Sequence, residues 1–200
     1  MTRENIVGNV YDKYGTRSPI ARALMSGFLE SAAALYAKAA PATVLEVGCG
    51  EGRLAEYLYT RANPRPWRFE ACDLELGKLV ETLQPAIVFR EASVYELPYA
   101  DSEFDLVICC EVLEHLEDPR RALAELRRVA ASSVLLSTPR EPLWRVLNVL
   151  RGKYVGDFGN TPGHLQHFGR AELEALVQTE FELVDVRAPV PWTMILARPR

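Results

Sequence analysis

No apolar run in the chain approaches the length of a membrane span. The longest, Ala32 to Ala37, has six residues, against roughly 20 for a spanning helix, so stable membrane insertion is not expected. Cysteine is sparse. Cys49, Cys72, Cys109 and Cys110 lack zinc-type spacing and two are adjacent, which reads as reduced thiols of a cytoplasmic protein rather than a disulfide framework. Charge of one sign is also lacking: 23 Lys and Arg against 27 Asp and Glu give −4, which disfavours a basic nucleic-acid binder. The opening Met1-Thr2-Arg3-Glu4-Asn5 leads into no apolar segment of signal-peptide type. Internal repeats and low-complexity linkers are missing as well. What is present is 200 residues of ordinary composition, 48% hydrophobic and 25% charged. That length suits one domain able to bury its own core, an enzyme or a binding module.

Ser18-Pro19 is a cap and first-turn proline for a helix carrying Ile20, Leu24, Phe28 and Leu35 on one stripe. From Thr43 the period changes. Thr43 to Val47 is a β-branched run that ends in Gly48-Cys49-Gly50-Glu51-Gly52, and a helical stretch with Leu54, Ala55, Leu58 and Tyr59 follows. Trp67 to Cys72 alternates toward Asp73, and a further helical stretch reaches about Leu83. Ala86 to Phe89 and Phe104 to Cys110 are the next strands; the apolar end of the latter suits a strand buried on both faces of a parallel sheet. Asp118-Pro119 opens a helix through about Ala131, and Val134 to Ser137 is a fifth strand. After residues 139–168, which keep neither period for long, come a helix beyond Ala171 and two β-type runs, Phe181 to Arg187 and Trp192 to Ala197. Strand and helix alternating over 43–138 predict βαβ units on a mostly parallel sheet. The expected organisation is an N-terminal helical cover (1–40), a core (41–138), an insertion (139–168), and a C-terminal helix with a strand pair (169–200).

In such sheets, ligands bind beyond the carboxyl ends of the strands. Those ends carry the glycine cluster, Asp73, Ser93 and Cys110-Glu111 in turn. Glycines admit close backbone approach and free helix-start amides to face an anion, while a carboxylate after the second strand suits the two hydroxyls of a ribose. The glycine spacing is Gly48-x-Gly50-x-Gly52. A dinucleotide fingerprint would need glycine at position 53, which is Arg53.

The run Val44-Leu45-Glu46-Val47-Gly48-Cys49-Gly50-Glu51-Gly52 resembles the first motif of class I S-adenosylmethionine-dependent methyltransferases. Ala71-Cys72-Asp73-Leu74 resembles their second-strand motif. Ser93 to Tyr99 and Phe104 to Leu116 resemble the third and fourth, in the manner of the small-molecule and quinone-ring subgroup. The resemblance implies an α/β, Rossmann-like three-layer sandwich with a seven-stranded, mostly parallel sheet, an antiparallel last strand, and a helical insertion after strand five. It implies S-adenosyl-L-methionine as cofactor, with S-adenosyl-L-homocysteine as product. Gly48, Cys49 and Gly50 would hold the methionine moiety with Glu46 buttressing the loop, and Asp73 would bind the ribose. Leu74 would pack on the adenine, Ser93 and Val94 would contact the adenine amino group, and Cys110 would touch the cofactor from strand four. Ser93 stands where many relatives have aspartate.

Glu111, Glu114 and His115, at i, i+3 and i+4, are expected on one face of a helical turn. A similar pattern ligates metal in some O-methyltransferases, with a later histidine that His164 or His167 could supply. The same Leu-Glu-His is common where it only caps the turn, and no metal ligand is assigned. His167 is the candidate catalytic base, since histidine titrates near neutrality, and His164 is assigned to packing. Leu143, Trp144, Val146, Leu147 and Leu150 predict an amphipathic helix that closes the core or covers an acceptor pocket. Tyr11, Tyr14 and Arg17 could fold over the cofactor. The expected activity is methyl transfer to oxygen or nitrogen of a small molecule, without a nucleic-acid partner. A nicotinamide-dependent oxidoreductase and a non-catalytic S-adenosylmethionine-binding subunit are the alternatives. Residues 41–138 hold 10 basic and 17 acidic side chains, whereas 1–40 and 139–168 are each +2. The distribution of charge therefore leaves an anionic small acceptor open.

Overall fold

In the computed structural model, residues 18–76 and 85–200 are described. The helical stretch expected up to Leu83 falls largely outside them, as do Tyr11, Tyr14 and Arg17. Ser18 caps helix α1 (Pro19–Ala39), its Oγ accepting from the Ala21 amide at 3.4 Å, and the helix stops where Ala40 turns left-handed. Strand β1 (Thr43–Val47) is buried along its whole length. There follow α2 (Arg53–Arg61), β2 (Arg68–Asp73), β3 (Ile87–Glu91), β4 (Phe104–Cys110), α3 (Pro119–Val129) and β5 (Ala130–Pro139). Then come α4 (Leu143–Leu150), α5 (Arg170–Val177), β6 (Phe181–Arg187) and β7 (Trp192–Pro199).

The seven strands form one sheet in the order β3-β2-β1-β4-β5-β7-β6. Strands β1 to β5 are parallel, and β7 runs antiparallel between β5 and β6. The fold is thus the expected Rossmann-like sandwich, with α4 as the helical part of the insertion after strand five. Alternate residues of β1 supply the two cores. Leu45 and Val47 pack with Phe104, Leu123, Leu126 and Phe181 on the α3 side. Val44 packs with Phe28, Leu35, Leu58 and Phe69 on the α1–α2 side. The strand order reverses between β1 and β4, so the crevice between their carboxyl ends is the topological switch point of the sheet.

Several boundaries differ from the sequence expectation. Helix α3 stops at Val129 because β5 begins at once, Ala130 pairing with Phe104. Strand β5 runs past Ser137 because β7 holds its far end, with Pro139 opposite Trp192. Strand β3 starts at Ile87, the partner of Phe69, and continues to Glu91 opposite Asp73. Arg128 lies in the last turn of α3. Its guanidinium donates to the Leu97 and Tyr99 carbonyls at 3.0 and 2.7 Å and pairs with Glu125 and Asp101. Glu125 in turn accepts from the Leu97 amide at 2.8 Å. The segment between β3 and β4 is therefore stapled to α3 by charge-assisted bonds.

Candidate active site

The glycine loop leaves β1 and is fastened to the end of β2. The Gly48 and Cys49 amides donate to the Cys72 carbonyl at 2.8 and 3.0 Å. The Gly50 amide donates to Asp73 Oδ2 at 2.7 Å, while Asp73 Oδ1 accepts from the Leu74 amide at 2.7 Å. Two positions in the loop require glycine for different reasons. Gly48 has φ +77°, and a Cβ there would lie 2.2 Å from Val112 Cγ2. Gly50 has φ +53°, and a Cβ there would meet nothing within 4 Å. The first glycine thus lets the loop pack against the chain after β4, and the second faces open space.

Glu46 lies beneath this loop, 2% exposed, and its Oε2 has no hydrogen-bond partner in the structure. Burial, reinforced by the nearby Asp73 carboxylate, pushes its pKa up to about 8, against a smaller opposing effect of the Ala55 amide. Burial also pushes the Cys49 and Cys110 thiols well above their ordinary value, so neither is a ready thiolate. Cys110 ends β4 with its Sγ 4.0 Å from the Leu135 carbonyl oxygen. On the other side of Asp73, Leu74 is half-exposed, available to cover a flat ring. Ser93 begins a tight turn, its Oγ accepting from the Tyr95 amide at 3.2 Å and its carbonyl from Glu96 at 3.0 Å. Val94 is half-buried against the α3-side core. These residues all belong to one rim of the sheet, the carboxyl ends of β1 to β4.

A buried carboxyl oxygen without a hydrogen-bond partner, a glycine facing open space and an aspartate at the end of β2 are the features an adenosyl amino-acid cofactor would use. Gly48, Gly50 and Glu46 would hold its charged amino-acid end, Asp73 the ribose, and Leu74 with the 93–94 turn the base.

The expectation that Glu111, Glu114 and His115 share a helical face does not hold. Glu111 adopts φ +61° and turns away, accepting from Ser137 Oγ at 3.0 Å and from Trp192 Nε1 at 2.7 Å. Only Leu113–His115 forms a 3₁₀ turn. That turn receives the end of the insertion: the Glu114 carbonyl accepts from the Leu165 and Gln166 amides at 2.8 and 2.9 Å. His115 Nδ1 bonds the Gly163 carbonyl at 2.9 Å. An aromatic row crosses the rim, with centroid separations of 4.9 Å for His115–His164, 6.3 Å for His164–Trp144, 5.9 Å for Trp144–Trp192 and 5.0 Å for Trp192–Phe28. Sequence reasoning missed Trp192 and the Glu111–Trp192 bond, because they join residues 81 apart in the chain.

His164 is 9% exposed within this row. His167 is exposed; its Nε2 is 2.8 Å from Asn160 Oδ1, and it lines an open hollow of about 440 Å³ with Arg145, Asp157, Phe158 and Asn160. The structure therefore groups His167 with the insertion rather than with the glycine loop. Helix α4 forms as expected, and its Asn148 Nδ2 donates to the Gly159 carbonyl at 2.9 Å.

With this geometry in view, the matched segment is similar to S-adenosylmethionine-dependent methyltransferases. Residues 45–137, just under half of the chain, match the family described as a methyltransferase domain. Among relatives, a probable S-adenosylmethionine-dependent methyltransferase of Mycolicibacterium smegmatis is 31% identical over 147 residues, 71% of this chain and 52% of that one. A ubiquinone biosynthesis O-methyltransferase of Hahella chejuensis is 33% identical over 134 residues, 64% of this chain and 55% of that one. The matched stretches cover between 24% and 55% of the curated relatives' lengths. Among solved structures, magnesium protoporphyrin IX methyltransferase from Synechocystis shares the fold with TM-score 0.67 at 18% identity, over 93% of this chain and 90% of that one.

Proposed function

We propose that this chain transfers a methyl group from S-adenosylmethionine to an oxygen or nitrogen atom of a small-molecule acceptor. The observation that carries this reading is the Asp73 carboxylate at the end of β2, tied to the Gly50 amide of the loop after β1, near the buried, unpartnered Glu46 oxygen. When bound, the cofactor supplies a methyl carbon on a sulfonium sulfur, which accepts the electron pair of the breaking bond as an acceptor atom attacks in line.

The chain's contribution is orientation and exclusion of water. The glycine loop would fix the amino-acid end of the cofactor and Asp73 the ribose, leaving the ends of β4 and β5 as the side for an acceptor. Trp144, Trp192 and the α4 insertion close that side with apolar and aromatic surface. His167, at the mouth of the insertion, is the base of this reading for an acceptor that arrives protonated. The acidity of residues 41–138 supports a small acceptor over a nucleic acid. Among the described residues no helix is long and apolar enough to cross a membrane.

Two measurements test the reading together. Titration with S-adenosylhomocysteine should raise the melting temperature, and labelled methyl should pass from S-adenosylmethionine to members of an acceptor library of phenols, hydroxy acids and amines. Binding without transfer to any acceptor would favour a cofactor-holding subunit. Absence of binding at saturation would overturn the reading.

A further inference from the structure

We propose that Glu114, His115 and His164 form a binding site for one divalent transition-metal ion beside the glycine loop. Each offers one ligand atom, and the three atoms all lie within 4.8 Å of one another. A tetrahedral ion with bonds of about 2.1 Å needs ligand separations of about 3.4 Å, so the three side chains would draw in on binding. The three side chains come from two segments, the 3₁₀ turn after β4 and the end of the insertion, about 50 residues apart in the chain. Those segments are clamped together independently of any ion by the Glu114 carbonyl, which binds the Leu165 and Gln166 amides, and by Gln166 Nε2 donating to the Leu116 carbonyl at 3.2 Å. The site is thus pre-assembled rather than dependent on loop closure.

The second observation concerns the His115 ring. A carbonyl oxygen can only accept, so the 2.9 Å contact with Gly163 puts a proton on Nδ1 and makes Nε2 the ring nitrogen that can ligate an ion. A backbone carbonyl fixing the far nitrogen is the arrangement that orients metal-bound histidines and raises their basicity. The Glu114 side chain is 2% exposed, and a buried carboxylate is stabilised by a cation. Two imidazoles and one carboxylate suit zinc, manganese, iron or cobalt rather than magnesium or calcium, which favour oxygen ligands.

The neighbourhood gives the ion a role. Val112, two residues before Glu114, packs against Gly48 of the cofactor loop, so the ion sits next to the side of the loop where the acceptor must approach. A position left open by three protein ligands would take an acceptor oxygen, lower its pKa and orient it. This narrows the acceptor class to hydroxyl-bearing molecules, above all those with two adjacent oxygens that can chelate, and that part rests on the methyltransferase reading. Binding of the ion does not.

The test is metal binding by the full chain after treatment with a chelator and its removal. Zinc and manganese are titrated separately by calorimetry, and cobalt by its visible ligand-field absorption. One equivalent should bind, with affinity about tenfold or more weaker in His164→Ala and in Glu114→Gln. Magnesium should compete poorly. A wild-type chain that binds none of these ions, or variants that bind as tightly as wild type, would overturn the site and leave the three side chains as an imidazole–carboxylate cluster. The wild-type titration decides even if a variant fails to fold. S-adenosylhomocysteine titrated in parallel separates the two claims: metal without cofactor would sink the methyltransferase reading alone, and cofactor without metal would sink this site alone.

Discussion

Glu46 gives the chain a pH dependence that can be worked out in advance. In the unfolded chain the carboxyl titrates at its ordinary 4.5; in the folded chain burial and Asp73 hold it at about 8. Below pH 4.5 both states keep the proton and the group adds no slope. Between 4.5 and 8 only the folded state keeps it, so unfolding releases a proton and stability falls as pH rises. The slope approaches about 1.4 kcal/mol per pH unit, and the loss sums to roughly 5 kcal/mol by pH 8, beyond which it levels off. Glu46→Gln keeps the shape and removes the titration. Urea unfolding at pH 5, 6, 7, 8 and 9 should therefore show wild type and variant converging at the acid end, with the variant progressively more stable toward pH 8. Parallel curves across that range would refute the reasoning, since they would mean that Glu46 is already ionised in the folded chain.

Other perturbations follow from the same geometry. Gly48→Ala should weaken S-adenosylhomocysteine binding at least tenfold by calorimetry and destabilise the fold by about 1–3 kcal/mol. Adding Val112→Ala should recover the steric part of that loss and leave the part due to φ +77°. His167→Ala should lower turnover by about a hundredfold; unchanged turnover would leave His167 as a packing partner of Asn160. Arg128→Ala should cost about 2 kcal/mol in urea unfolding by freeing the Leu97 and Tyr99 carbonyls, and Arg128→Lys should restore less than half.

The sheet was legible in the sequence because its strands announce themselves locally. Phe104 to Cys110 is nearly continuously apolar from end to end, and β1 stops where glycines begin. The boundaries that moved were those set by partners: β5 extends to Pro139 because Trp192 pairs with it, and no local pattern near Ser137 records that. The site divides in the same way. The glycine loop and Asp73 lie on consecutive strand ends, so motif and place coincide. Glu111 illustrates the opposite case, since helical spacing put it beside Glu114 while a left-handed backbone took it to Ser137 and Trp192. His164 reaches Glu114 and His115 only because the insertion folds back on the turn after β4, a long-range event that periodicity does not encode. The carbonyl partners of Arg128 lie about 30 residues upstream, where no local pattern announces them.

The central claim is that the rim of β1 and β2 binds an adenosyl amino-acid ligand through Asp73 and the glycine loop. Calorimetric titration of S-adenosylhomocysteine into wild type and Asp73→Asn tests it most directly. The account predicts one site per chain in wild type and affinity at least about tenfold weaker in the variant, which loses the charge that fixes the ribose. No saturable binding to wild type, or equal binding to both, would contradict it.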